Sequence, residues 1–492
     1  MASGMGSLEI ARSGLQVSER ALYVTGHNIS NLGTVGYVRQ QAMIMNRVST
    51  KEYGDIQLGA GADIQKIRQI RQSFYDDIFR QENCQLGYWQ AKSEAFEEIQ
   101  IIMGEPMEEG LQNAMNEFWD SWQELSKEPD SLTIKATVRQ LGDNLVQIIN
   151  HIDQQLTKLQ RDLDSEIELK VKEVNNITSQ IAELNGLIAR AEIAGDTAND
   201  YRDQRNVLLD QLSFLVNADI NETSDGMVSV TVGGYFLVQK DKNLELYAGK
   251  VNNDDVYHTP MLVGKDVVIP LEGGYIKGLI DSRGQENYNS KPYNGEEVST
   301  DFSDNSIAQL RMSLNALVSN LFNSVNALHE SGMKTINNST EPGEAFFVKI
   351  NDENPMILGN IKLNDNLSNL NNIVSSKDGK TGNNEIALKI ANLRYESMVK
   401  NSNGVQSMDD YYQSIILGIG AAGSDASTIY KNQLKVVQST DDARQSIMSV
   451  SLDEEMTSML KYRHAYNASA RTLNVIDDML ETIITKIGIA GR

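Results

Sequence analysis

Leu8, Leu15, Leu22 and Ile29 recur every seven residues near the start of the chain, and Leu452, Met459, Tyr466, Leu473, Leu480 and Ile487 do the same near its end. Tyr462, Ile476 and Ile483 form a second row within the last segment. A seven-residue apolar repeat on a helix makes one narrow stripe, and that stripe needs a partner helix. Neither stripe has a partner nearby in sequence. The first and last helices are therefore expected to pair with each other as a coiled coil, or with copies of themselves. The residues of the two seven-residue rows are the candidate assembly interface. Ala11, Ser18 and Ser469 along them are small enough for close helix approach.

Between the ends the pattern changes twice. Residues 3–32 read as one helix stopped at Gly33, and residues 37–64 as irregular with some strand character. Helix is expected from about Ile67 to Met103 and from Met107 to Ser126, punctuated by Pro106 and Pro129. Leu145, Ile149, Ile152, Leu156, Leu159 and Leu163, then Val174, Ile177, Ile181, Leu184 and Ile188, step by three and four like a coiled coil. A further helix spans about Asn199–Leu215. Strand signals then run through 217–300, clearest where Gly233-Gly234 separates Val228–Val232 from Tyr235–Val238. Helix returns at about Ser306–His329, 331–405 is loop-rich and mixed, and helix resumes near Met408 and from Asp425 to Met448. Ser451-Leu-Asp-Glu454 fits a capping box at the start of the last helix.

The implied fold is mainly α with a β insert: an elongated, discontinuous multidomain chain. Its expected parts are a terminal helical assembly domain (1–65 plus 452–492), a helical bundle (66–216 plus 300–451, with the mixed subdomain at about 331–405) and a small outer β domain (217–299).

Composition narrows the partners. The 492 residues carry a net charge of −23, which argues against nucleic acid, whose phosphates need Lys/Arg patches. No run approaches 18 apolar residues, so no membrane insertion is expected, and the first twelve residues lack the pattern of a secretory signal. The single cysteine, Cys84, forms no disulfide framework and reads as a small packed or partly exposed side chain.

Catalytic chemistry is not legible. His27, His151, His258, His329 and His464 are scattered, with no metal-ligand spacing between them. Gly418-Ile-Gly-Ala-Ala-Gly423 matches a dinucleotide-binding pattern, with Asp441 and Asp442 at the distance of a ribose-binding carboxylate. Its context is wrong, because the preceding Asp409–Leu417 reads as helix where that fold needs a strand. The segment reads instead as a Gly/Ala break between two helices. No enzyme activity, cofactor or metal is expected.

A resemblance enters at residues 4–40. Gly4-Met5, Ser7-Leu8, Ser13-Gly-Leu15, Asn28-Ile-Ser-Asn31 and Gly36-Tyr37-Val-Arg39-Gln40 are similar to the N-terminal signature of flagellar axial proteins, with His27 in place of an Asn and Val35 in place of a Pro. Asn28, Asn31, Gly36 and Tyr37 carry that motif. Asp203–Ser213 with Asp225-Gly226, Gly343–Phe347, and Val450–Glu455 with Tyr462–Arg471 resemble the hook-associated protein 1 family. The resemblance implies a structural role at the hook–filament junction of the bacterial flagellum, as a ring of like subunits. Implied partners are hook protein, a second junction protein and the filament, the flagellar type III export apparatus, and an export chaperone held at Tyr462, Leu473, Ile476 and Leu480. The implied location is extracellular, after a transient cytoplasmic stage. The alternative is another axial protein, flagellin or hook protein.

Overall fold

The computed structural model describes residues 2–47, 50–51, 57–104, 110–193, 195, 197–251, 256–284, 297–336, 339–401, 404–483 and 485. Among them ten α-helices carry the architecture: α1 (Ala2–Ser30), α2 (Ser73–Met103), α3 (Leu111–Lys127), α4 (Leu132–Ile193), α5 (Asn199–Leu215), α6 (Tyr275–Arg283), α7 (Ser306–Ser331), α8 (Glu385–Asn392), α9 (Met408–Met448) and α10 (Leu452–Thr482). Ile487 lies outside the described residues.

The backbone of the molecule is α4, 62 residues long and so roughly 90 Å from end to end. Its apolar stripe is continuous: Ile167 and Val171 fill the gap that the sequence reading left between Leu163 and Val174. At one turn the stripe turns polar. Leu159 is only partly buried and Gln160 takes the interior position, donating from Nε2 to the Arg283 carbonyl at 2.9 Å and accepting from the Tyr257 hydroxyl at 3.1 Å. The N-terminal half of α4 packs on α3, its C-terminal half on α5, and α6 lies between α4 and α2.

Three expectations need correction. The long second helix begins at Ser73, because 62–69 is a strand paired antiparallel with Gln40–Asn46. Within 217–300, which the sequence reads as β throughout, Tyr275–Arg283 is helix. The Gly418–Gly423 segment is no break: α9 runs through it unbroken. Gly418 and Gly423 serve packing, whereas Gly420 faces open space. A Cβ on Gly418 would lie 2.5 Å from the Thr300 carbonyl oxygen, and one on Gly423 2.4 Å from Gln100 Nε2. Glycine's helix cost of about 1 kcal/mol is offset by the close contact of α9 with its neighbours. The preceding segment is helical from Met408, as the rejection of dinucleotide binding required.

The β part is local. Ala218–Glu222, Val228–Val232, Tyr235–Gln239 and Lys242–Asn243 form a four-stranded antiparallel meander. Gly233 and Gly234 both have positive φ, as a two-residue hairpin turn of this hand requires. Val228, Val230 and Val232 alternate inward. Asn185 of α4 pins the sheet by donating to the Val228 and Lys240 carbonyls, both at 2.7 Å. A three-stranded sheet of Leu246–Gly249, Thr259–Leu262 and Val267–Val268 follows.

Candidate assembly site

α1 and α10 lie against each other, although 421 residues separate the end of the first from the start of the second. The seam on α1 is made of small residues. A Cβ on Gly14 would approach Ser469 Oγ to 2.7 Å, and Ala11, Ser18, Ala21, Thr25 and Asn28 share that face at helical spacing and are buried. Ser18 and Thr25 turn their hydroxyls back onto the Gly14 and Ala21 carbonyls at 2.7 and 3.0 Å, which leaves the face smooth. Leu8, Leu15, Leu22 and Ile29 form a half-buried row beside it. On its other flank α1 meets the strand pair, where Ser13 Oγ accepts from the Ala62 amide at 3.2 Å.

On α10, Tyr462, Ser469, Leu473, Ile476 and Leu480 share one side, with Ile476 buried and the others half-buried. Met459 is half-buried as well, while Leu452 and Tyr466 are exposed. Elsewhere, along its outer side and at both ends, the helix is bare. Leu452, Met456, Leu460, Val475, Met479 and Ile483 are each 45–59% exposed. Only Glu455 and Ile476 of the whole helix are buried.

The motif residues meet where α1 ends. Asn28 is 1% exposed and makes four hydrogen bonds. Its Nδ2 donates to the Gln40 carbonyl at 2.8 Å and to Glu455 Oε2 at 3.1 Å, while Oδ1 accepts from the Tyr37 hydroxyl at 2.8 Å and the Gln40 amide at 3.0 Å. Asn31 caps the end, donating to the His27 carbonyl at 3.0 Å. Gly36 sits at φ +79, against Val207 of α5, a backbone region that favours glycine. Burial, with the carboxylates Asp200, Asp203 and Glu455 nearby, pushes the Tyr37 hydroxyl's pKa well up, so it stays a donor.

Residues to which the sequence reading assigned no contact with one another complete this joint. Arg39 Nε donates to Glu455 Oε1 at 2.7 Å, and its Nη1 binds Glu454. The expected capping box is therefore not made: Ser451 occupies the N-cap with no side-chain bond, and Glu454 reaches to Arg39 instead. Asp203 of α5 accepts from the Val38 amide at 3.1 Å and Gln69 Nε2 at 2.6 Å, tying the turn and the second strand to the body. A groove of about 690 Å³ runs beside it, between the 31–38 turn and α2, α5 and α9, lined among others by Val35, Phe79, Val207 and Arg444.

Burial raises the Asp203 pKa to about 7, against the pull of its two hydrogen-bond donors and Arg71. The unfolded value is about 3.9. Between these the folded chain binds the extra proton, so this group's contribution to stability falls as pH rises from about 4 to about 7 and is level above. Asp203→Asn is expected to cost stability near pH 4.5, where the parent carboxyl is protonated, and to lack that slope, so its deficit shrinks or reverses as pH rises to 8. Unfolding midpoints of the two proteins between pH 4.5 and 8 test it; parallel curves would refute the assignment. His329, with its pKa lowered to about 4 by burial, acts in the opposite sense in both proteins and cancels in the difference.

Cys84 is buried, and burial pushes its thiol up to about 11, consistent with a packed side chain. No described helix is long and apolar enough to cross a membrane.

Residues 96–347, over half of the chain, match the family described as flagellar hook-associated protein FlgK helical domain. The chain belongs to that family. Residues 447–486 also match the flagellar basal body rod FlgEFG protein C-terminal family, a stretch that begins at the end of α9 and takes in all of α10. Relatives named flagellar hook-associated protein 1 align along nearly the full length. The Bacillus subtilis protein is 28% identical, covering 100% of both chains. Those of Salmonella typhimurium and Escherichia coli are each 22% identical, covering 96% of this chain and 98% of their own. The flagellar hook junction protein FlgK of Burkholderia pseudomallei shares the fold, with a TM-score of 0.63 at 14% identity over 76% of this chain and 100% of that one.

Proposed function

We propose that this chain is a non-enzymatic structural component of the hook–filament junction, assembling through α1 and α10 after export by the flagellar type III apparatus. Family membership supports the place. The observation that carries the mechanism is α10: it is held along one side by α1 and presents an apolar opposite side to whatever comes next. In a ring of subunits, Leu452, Met456 and Leu460 at one end and Val475, Met479 and Ile483 at the other would be covered by neighbouring terminal helices. Each is already about half covered, so completing its burial is worth about 1 kcal/mol, and the set together favours self-association.

In this reading the domain plan keeps its order, with 1–65 and 452–492 innermost, the helical bundle next, and the 217–299 region outside. Hook protein, a second junction protein and the filament are the axial partners. The chaperone is proposed to hold Tyr462, Leu473, Ile476 and Leu480. Because these face α1, chaperone binding and α1–α10 pairing would be mutually exclusive, which keeps the exported chain from assembling early. The experiment is location: a tagged copy expressed in flagellated cells is expected at the hook tip. Labelling along the filament would favour flagellin-like incorporation and overturn the junction assignment.

A further inference from the structure

The polar interruption of the α4 stripe at Gln160 continues one turn on into a convergent set of ligand atoms. Asp164 and Glu168, one helical turn apart, share a face of α4, and His258 reaches them from the loop before strand Thr259–Leu262. His258 Nδ1 lies 2.7 Å from Asp164 Oδ2 and 3.1 Å from Glu168 Oε1. The nitrogen and the two oxygens all fall within 4.8 Å of one another. A ring nitrogen carries at most one hydrogen, yet two carboxylate oxygens compete for it.

The atoms around this centre are already fixed from behind. Asp164 Oδ1, the oxygen not facing the ring, accepts from the His258 amide at 2.8 Å and from Arg283 Nη1. Arg283, 3% exposed, also donates to the His258 carbonyl at 2.8 Å and lies over the Tyr257 ring. One buried guanidinium thus sets both the carboxylate and the imidazole backbone, leaving Oδ2 and Nδ1 to face a common point. Outer-shell bonds of this kind orient ligands in metal centres.

We propose that Asp164 Oδ2, Glu168 Oε1 and His258 Nδ1 bind a divalent first-row transition ion, with zinc as the reference. One imidazole nitrogen with two carboxylate oxygens suits such ions, whereas magnesium and calcium prefer all-oxygen sets. Bonds of about 2.0–2.2 Å require the 2.7 Å pair to open by less than about 1 Å, and Glu168, 38% exposed at its side chain, has room to move. Solvent completes the coordination on that open side. The ion takes the Nδ1 lone pair of a neutral imidazole whose one ring hydrogen then sits on Nε2; binding to the imidazolium releases the Nδ1 proton to water. Bound metal would staple the Thr259–Leu262 sheet to α4.

The test is calorimetric titration of zinc chloride into the untagged full-length chain, with magnesium chloride in parallel and thermal melts of each. The expected result is one zinc per chain, a raised melting temperature and no comparable magnesium binding. Glu168→Gln and His258→Gln are each expected to weaken zinc at least tenfold, while His151→Gln, exposed on the same helix, leaves it unchanged. Absence of zinc binding, equal binding by Glu168→Gln and the parent, or magnesium bound as well as zinc would overturn the proposal. Glu168→Gln keeps the test decisive if His258→Gln fails to fold.

Discussion

Removal of residues 452–492 is expected to leave a soluble, folded protein that cannot join the flagellar axis. The reason is where α10 buries its atoms. Glu455 and Ile476 are its only buried residues among those described, and the continuous core formed by α2–α9 contains none of it. Truncation loses the Asn28–Glu455 and Arg39–Glu454/Glu455 contacts and uncovers the small-residue face of α1. Both costs fall on the terminal unit. Far-UV circular dichroism is expected to lose the helix of α10 and nothing else, with an unchanged unfolding midpoint for the body. Cells carrying only the truncated chain are expected to be non-motile, with hooks lacking filaments. Filaments in those cells would end the terminal-helix account. A finer version uses Met456→Glu, at a position 46% exposed and so neutral in the monomer; it is expected to block assembly while leaving the monomer's melting temperature within about 1–2 °C, as surface substitutions usually do.

Trp122→Ala is the largest single-residue effect expected in the body. Trp122 is fully buried, with ring centroids 5.5 Å from Phe346 and 6.3 Å from both Phe118 and His329. Phe346 in turn stacks edge-on to Phe347 at 4.8 Å, so the cluster joins α3 and α7 to the 346–347 segment. The indole N–H has no hydrogen-bond partner among the described residues. The substitution therefore forfeits packing alone, which for Trp→Ala in a core is about 3–5 kcal/mol. Against a typical total of about 5–15 kcal/mol that is about a fifth or more of the stability. A urea titration should show a lower midpoint at an unchanged slope. A change below about 1 kcal/mol would mean that the cluster does not hold these elements together. Because the site is remote from α1 and α10, variant that does fold should still reach the junction.

Periodicity made the helices legible. The α4 and α7 stripes and the Gly233-Gly234 hairpin follow from local spacing; α7 and the hairpin were read close to their observed bounds, while α4 begins at Leu132, well before the first stripe residue read, Leu145. What escaped has a common cause: it depends on a neighbour distant in sequence. Gly418 and Gly423 read as a break because helix propensity is local, whereas the structure uses them to let α9 approach the Thr300 carbonyl and Gln100. α6 was missed because nine residues flanked by glycines carry too little pattern to announce a helix that exists by packing between α2 and α4. The joint divides the same way. Asn28, Asn31, Gly36 and Tyr37 were readable as a motif, but nothing in one sequence pairs Arg39 with Glu455, or Asp203 with the Val38 amide. The small-residue seam through Gly14 was visible only as scattered Ala and Ser positions beside the more conspicuous leucines.

The hydrogen bond between Asn28 and Glu455 spans 427 positions. During synthesis the first helix leaves the ribosome long before the residues that will cover it exist. The entropy of closing so long a loop grows only logarithmically with its length, so distance costs little once the chain is whole, but order of appearance is absolute. The terminal unit is thus the last part of the molecule that can close, and a chain intercepted before its final forty residues are committed is a finished body with open ends.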